Sequence, residues 1–213
     1  MSEDKISGND AIDAALRLDG DPRQVKQYYA DWAHRYNRDV GAADYSGPAI
    51  AARLLQRHLP DRGSRILDAG CGTGLVGVEL RTLGYFDIDG FDLSPEMADL
   101  STATGAYRRV VGDIDMMRAI DDYPHSSYDA LLSIGVFTLG HVPPRALAVL
   151  LQLTCAGGLL VISTRSHYYE QTDYQQQVDS LLESGRMLQL QVIRDAPYNH
   201  DGDAHYWVFR KTG

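Results

Sequence analysis

Cysteine is scarce: Cys71 and Cys155 are the only two among 213 residues. Two thiols that far apart form neither a disulfide framework nor a metal-binding spacing, and they fit a reducing, cytoplasmic setting with no metal. No long apolar run occurs, so no membrane-spanning helix and no membrane partner are expected. The start carries no basic-then-apolar leader, so export is not expected either. Lys and Arg never cluster, and 20 of them stand against 29 Asp and Glu, for a net charge of −9. That balance argues against the phosphate backbone of a nucleic acid as the main partner. Internal repeats and low-complexity tracts are absent. What remains, 44% hydrophobic and 23% charged residues, is the composition of a soluble globular protein of one domain, with at most a small subdomain.

The chain is organised around residues 65–74, Arg65-Ile66-Leu67-Asp68-Ala69-Gly70-Cys71-Gly72-Thr73-Gly74. Ile66 and Leu67 suit a parallel strand covered on both faces. Glycines at alternate positions let the backbone turn tightly and approach a ligand. Leu75, Val76, Val78, Leu80 and Leu83 then open an amphipathic helix, whose first N–H groups face the turn. Residues 72–77 match the dinucleotide pattern G-x-G-x-x-G, but the turn begins at Gly70, and counted from there Leu75 stands where a third glycine belongs. Asp68 would repel a pyrophosphate and suits a ligand carrying an ammonium group.

A second strand over residues 86–92 ends in Asp92, placed to accept both ribose hydroxyls of an adenosine. That spacing serves dinucleotides and S-adenosylmethionine alike. Ser94, Pro95 and Glu96 form a hydroxyl cap, a first-position proline and a first-turn acid for the next helix. Residues 107–114 and 128–135 read as the third and fourth strands, and 159–164 as the fifth. Residues 187–194 and 205–211 read as a closing antiparallel hairpin joined by a polar loop, 195–203. At the other end, residues 11–18 make a short helix with Asp10 as its cap. Pro22 starts a helix to Tyr36, with Val25, Tyr28, Tyr29, Trp32, Ala33 and Tyr36 on one aromatic face. A Gly/Ala-rich loop, 41–48, carries Tyr45.

Asp68, Gly70, Gly72 and Gly74 together resemble the first motif of the Rossmann-like, class I S-adenosylmethionine-dependent methyltransferases. Asp92-Leu93-Ser94-Pro95-Glu96-Met97 resembles the second. Residues 29–36 resemble the aromatic N-terminal lid of small-molecule members, with Tyr-Ala where Tyr-Asp is commoner. Tyr45-Ser46-Gly47-Pro48, the glycine turn and Ser163-Thr164-Arg165 resemble the Williams–Beuren syndrome region methyltransferase-like group. The resemblance implies a doubly wound, seven-stranded, mostly parallel α/β sheet with a C-terminal antiparallel hairpin and an N-terminal helical lid. A mobile segment at 1–21 is expected of an exposed terminus, and the resemblance implies a lid at 22–60 and a cofactor-binding domain at 61–213. S-adenosylmethionine would be the cofactor and S-adenosylhomocysteine the product. Tyr28 or Tyr29, with Asp68, Gly70, Gly72, Gly74, Asp92, Leu93, Met97, Asp113, Ile114 and Ile134, would hold the cofactor, Asp113 by accepting the adenine amino group. His141 is the candidate catalytic residue, as a base or as a substrate contact, and Tyr45, Arg165 and Tyr198 are the candidate substrate contacts. The expected partner is a small molecule bearing an N, O or S nucleophile, for a monomer or homodimer. An inactive cofactor-binding regulator and a dinucleotide-dependent oxidoreductase are the other readings.

Overall fold

The computed structural model describes residues 8–15, 17–199 and 202–213, with side chains from Ala11 onward and Ala42 described by backbone alone. Among the described residues the helices are α1 (Gly8–Ala15), α2 (Pro22–Ala42), α3 (Gly47–His58), α4 (Leu75–Thr82), α5 (Pro95–Ala103), α6 (Ala119–Asp122), α7 (Ala146–Leu153), α8 (Ser166–Gln171) and α9 (Tyr174–Glu183). The strands are β1 (Ile66–Ala69), β2 (Ile88–Phe91), β3 (Arg109–Val111), β4 (Tyr128–Phe137), β5 (Thr154–Arg165), β6 (Met187–Asn199) and β7 (Gly202–Lys211).

These strands form one sheet in the order β3-β2-β1-β4-β5-β7-β6. β1 to β5 are parallel, and β7 runs antiparallel between β5 and β6. All four β1 residues are buried because helices cover both faces. Neighbouring strand residues point to opposite faces, so Leu67 joins a core with α7 and α9, and Ile66 one with α3 and α4. The strand order reverses between β1 and β4, and the crevice outside their carboxyl ends is where this architecture binds ligands.

α1 and α2 lie outside the sheet, and residues of both border that crevice. Asp21 caps α2 by accepting from the Arg23 N–H at 2.9 Å, and Pro22 fills the first turn. The helix runs on to Ala42 rather than stopping at Tyr36. The buried bond from Trp32 Nε1 to Asp39, 2.9 Å, spans two turns and holds the extension. The expected loop at 41–48 therefore shrinks to residues 43–46.

In the expected mobile segment, residues 1–7 and Leu16 lie outside the described residues. Gly8–Ala15 is helical, and Ala11 and Ala15 are buried against Trp32 and Val40 of α2. At the far edge, β6 and β7 extend through most of the expected 195–203 loop, pairing Ala196 with Ala204 and Pro197 with Asp203, while residues 200–201 lie outside the described residues. The polar composition misleads there because this is the outer part of an edge hairpin, with water on one side. The Ser46 N–H donates to the Tyr198 carbonyl at 3.0 Å, so the hairpin tip reaches the start of α3.

Candidate functional site

The glycine turn is pinned before it meets any ligand. The N–H groups of Gly70 and Cys71 both donate to the Phe91 carbonyl at 2.9 Å, tying β1 to the end of β2. Asp92 stands at that end. Its Oδ2 accepts from the Gly72 N–H at 2.8 Å and its Oδ1 from the Ser94 N–H at 2.9 Å. Each oxygen keeps lone pairs for a further donor. Burial pushes the Asp92 carboxyl up to about 6, against the opposing pull of those N–H bonds.

Gly70, Gly72, Asp92, Leu93, Met97, Ile114 and Ile134 line one cleft of about 990 Å³. Gly72 adopts φ +53°, and a Cβ there would meet nothing within 4 Å, so the turn leaves open space beside it.

Four expected residues sit elsewhere. Gly74 is outside the cleft lining; it caps α4, and a Cβ there would stand 2.9 Å from Ser101 Oγ, so this glycine serves the approach of α4 to α5. Asp68 is fully buried off the cleft, accepting from the Tyr107 hydroxyl at 2.6 Å. That tyrosine also accepts from the Gly77 N–H at 2.9 Å, so Asp68 anchors the α4 turn through it. Burial raises the Asp68 carboxyl to about 7, and among the described residues its Oδ1 has no partner. Asp113 is exposed at φ 64° and pairs with Lys26 of α2 at 2.6 Å. In its place Asp115 lines the cleft, and it also caps the 3-10 turn Met116–Arg118. An acid just before the paired methionines was the available signal for it. Tyr28 turns away: its hydroxyl donates to the Ala11 carbonyl and its ring packs on Trp32. Tyr29 is the tyrosine that faces the cleft, together with Tyr36.

A second cavity of about 540 Å³ adjoins the first and shares Tyr29, Tyr36, Tyr45, Gly135 and His141 with it. Tyr45 and Tyr198 meet here, ring centroids 4.8 Å apart, with the Tyr198 hydroxyl 3.3 Å from that of Tyr45. Gly135 lets both approach: a Cβ on it would lie 2.8 Å from each hydroxyl oxygen. It sits in a register shift between Ser133 and Phe137 of β4, an irregularity of the kind that re-aims a strand end beside a site. A lone glycine inside a strand pattern was the legible hint.

Arg165 closes the end of β5, 8% exposed, with its guanidinium 4.5 Å from the Tyr198 ring centroid. His141 Nδ1 is 3.0 Å from the Leu139 carbonyl, and its Nε2 is 2.8 Å from the Tyr29 hydroxyl. A carbonyl only accepts, so Nδ1 carries the proton and Nε2 takes the Tyr29 hydroxyl as donor. Burial holds the His141 pKa below its ordinary value, keeping the ring neutral near pH 7. Burial raises the Tyr29 pKa, so the phenol stays protonated as that donor.

A carboxylate with open lone pairs at the end of β2, an open glycine turn at a helix N-terminus and apolar walls fit an adenosine-bearing cofactor.

Comparison with known proteins agrees with this geometry. Residues 42–212 match the family described as "Methyltransferase domain". The human methyltransferase-like protein 27 is 35% identical over 69% of this chain, which spans 60% of that relative's length. Malonyl-[acyl-carrier protein] O-methyltransferase of Serratia marcescens is 30% identical over 92% of this chain and 72% of its own. Among solved structures, a TehB-like S-adenosylmethionine-dependent methyltransferase from Corynebacterium glutamicum superposes with a TM-score of 0.65 at 24% identity, covering 87% of this chain and 99% of that one.

Proposed function

The chain belongs to the methyltransferase-domain family, with the class I fold and S-adenosylmethionine as its cofactor, and from that premise we propose that it methylates an N, O or S nucleophile of a small molecule held in the second cavity. The observation that carries this reading is the convergence of separate elements on that cavity. Its lining comes from α1, α2, the loop at 43–46, the ends of β4 and β5, the loop at 138–141 and the tip of β6. An acceptor there would touch α1 and α2 on one side and the ends of β4 and β5 on the other. The net charge of −9 supports an acceptor other than a nucleic acid.

In this reading Asp92 takes the ribose hydroxyls, since it already projects into the cleft with its own N–H partners in place. Leu93, Met97 and Ile114 flank the adenine, and Asp115 stands within its reach. The backbone of Gly70 and Gly72 borders the methionine half. When bound, S-adenosylmethionine supplies a methyl group activated on a positively charged sulfur. Tyr29 and Tyr36 offer ring faces that attract positive charge and a wall that keeps out water. Holding the nucleophile in line at short range is worth more than any acid or base group, because a two-body encounter becomes a positioned one. His141 adds a proton acceptor. With Tyr29 turned aside, Nε2 is free to take the proton of an acceptor hydroxyl or ammonium.

The test is a methyl-transfer screen against small thiols, amines, phenols and carboxylic acids, read by release of S-adenosylhomocysteine. Turnover of at least one class is expected, and because burial holds the His141 pKa down, the rate should fall only on acidification below the ordinary histidine range. Tight S-adenosylmethionine binding with no product across the panel would overturn the enzymatic reading in favour of a cofactor-binding regulator. Saturable NAD binding without S-adenosylmethionine binding would point to an oxidoreductase instead.

A further inference from the structure

Resting on that reading of the second cavity, we propose that the acceptor is a small aromatic acid, its carboxylate held by Arg165 with the Thr138 hydroxyl beside it. The first ground is charge. The basic side chains of the sheet's other end are paired: Arg65 and Arg108 both reach Asp89, at 3.3 Å for Arg65. Arg165 is more deeply buried than either, yet among the described residues no carboxylate lies within 4 Å of it. A buried cation without a counter-ion is costly. Among the described residues no Asp or Glu lines the cavity it faces. That leaves the pocket positive and fit for an anion.

The second ground is unmade hydrogen bonds. A guanidinium has five N–H donors in a planar fork that matches a carboxylate edge. Among the described side chains, Asn199 takes one, from Nη1 to Oδ1 at 3.0 Å. Thr138 lines the same cavity, is 6% exposed, and among the described residues its buried Oγ1 has no partner. A buried polar group without a bond is a departure that asks for an explanation, and a ligand oxygen provides one.

The third ground is fixation. Tyr198 stacks under the guanidinium and Asn199 steadies its Nη1 end, so the remaining donors are held in place. The cavity walls beside it include Trp32, Tyr36 and Tyr45, whose faces suit a flat ring.

A purely structural role for Arg165, pinning the hairpin tip to β5, is the competing account. Protein loaded with S-adenosylhomocysteine separates the two when titrated with benzoate, 2-naphthoate and their primary amides. The acids should bind at least about tenfold tighter than the amides, as expected for charge-assisted bonds to a guanidinium. Arg165→Gln should erase that preference and Arg165→Lys keep part of it, with S-adenosylhomocysteine affinity unchanged in both. Equal binding of acids and amides by the unmodified protein overturns the proposal without any variant having to fold. So does an acid preference that survives Arg165→Gln, or no saturable binding of the acids at millimolar concentration. Methylation of neutral phenols or amines but never of acids sinks this inference while sparing the methyltransferase reading. Failure to bind S-adenosylhomocysteine at all would instead sink that reading.

Discussion

Replacing Gly72 by valine separates folding from ligand binding. In the protein alone, a Cβ at Gly72 meets nothing within 4 Å, so the first added carbon introduces no internal clash. Its cost to folding is backbone strain. At φ +53° an L-residue in the left-handed region loses roughly 1–2 kcal/mol, more for a β-branched one. For a chain of this size that lowers Tm by about 2–8 °C. Gly70 behaves differently: a Cβ there would lie 2.5 Å from Val136 Cγ2, at φ +77°, so Gly70→Val strains both backbone and packing and should unfold the domain far more readily. The space beside Gly72 is where the cofactor has to lie. Intruding methyl groups in a filled site cost about 1–3 kcal/mol, which is roughly fivefold to 150-fold in affinity. Displacement of the Gly72 N–H from Asp92 would add to that. The assay is calorimetric titration with S-adenosylmethionine, with thermal unfolding measured in parallel. A folded Gly72→Val protein with near-normal affinity would refute the placement of the cofactor along this turn.

Asp92→Ala should weaken cofactor binding by at least about tenfold, since it removes charge-assisted bonds worth ~1.5–3 kcal/mol each, and unchanged calorimetric affinity in an intact fold would displace the ribose from the end of β2. Asp113→Ala should leave cofactor affinity nearly unchanged, because its exposed pair with Lys26 is worth only ~0–1 kcal/mol, whereas Asp115→Ala should lower it; the reverse order by titration would return Asp113 to the adenine. The Asp68 carboxyl is raised by burial to about 7 from 3.8, so between those pH values the folded state holds a proton that the unfolded chain has lost. Its stabilising contribution is therefore complete below about pH 3.8 and disappears as pH rises through about 7. Thermal unfolding between about pH 5 and 8 should show a shallower decline in Asp68→Asn than in the unmodified protein, and parallel curves would contradict this. Hydrogen exchange in α2 should slow when S-adenosylhomocysteine binds; protection of the glycine turn alone would make α1 and α2 fixed packing rather than a lid.

Local chemistry determined a good deal of this protein. The strand–glycine–helix unit, the acid ending β2 and the Ser94–Pro95–Glu96 helix start each depend on neighbours within a few residues, so each was readable from the chain. Alternating strand and helix patterns likewise carried the seven-stranded sheet. What reading along the chain could not supply was direction and partnership. Tyr28 and Tyr29 are adjacent, about 100° apart around α2, and only the docking of α1 on one side of that helix turns Tyr29 toward His141. Asp113 and Asp115 differ by two residues, and the backbone at Asp113, together with Lys26 across the gap, decided which one lines the cleft. Asp68 carries the family motif, but Tyr107, distant in sequence, covers it. The hairpin at 195–203 reads as a polar loop because one side of an edge strand is wet, and its pairing is long-range. Arg165, Thr138 and Tyr198 come from three separate stretches. Their convergence on one cavity follows from the order of the strands and the reach of the hairpin, contacts between distant segments that no window of sequence contains.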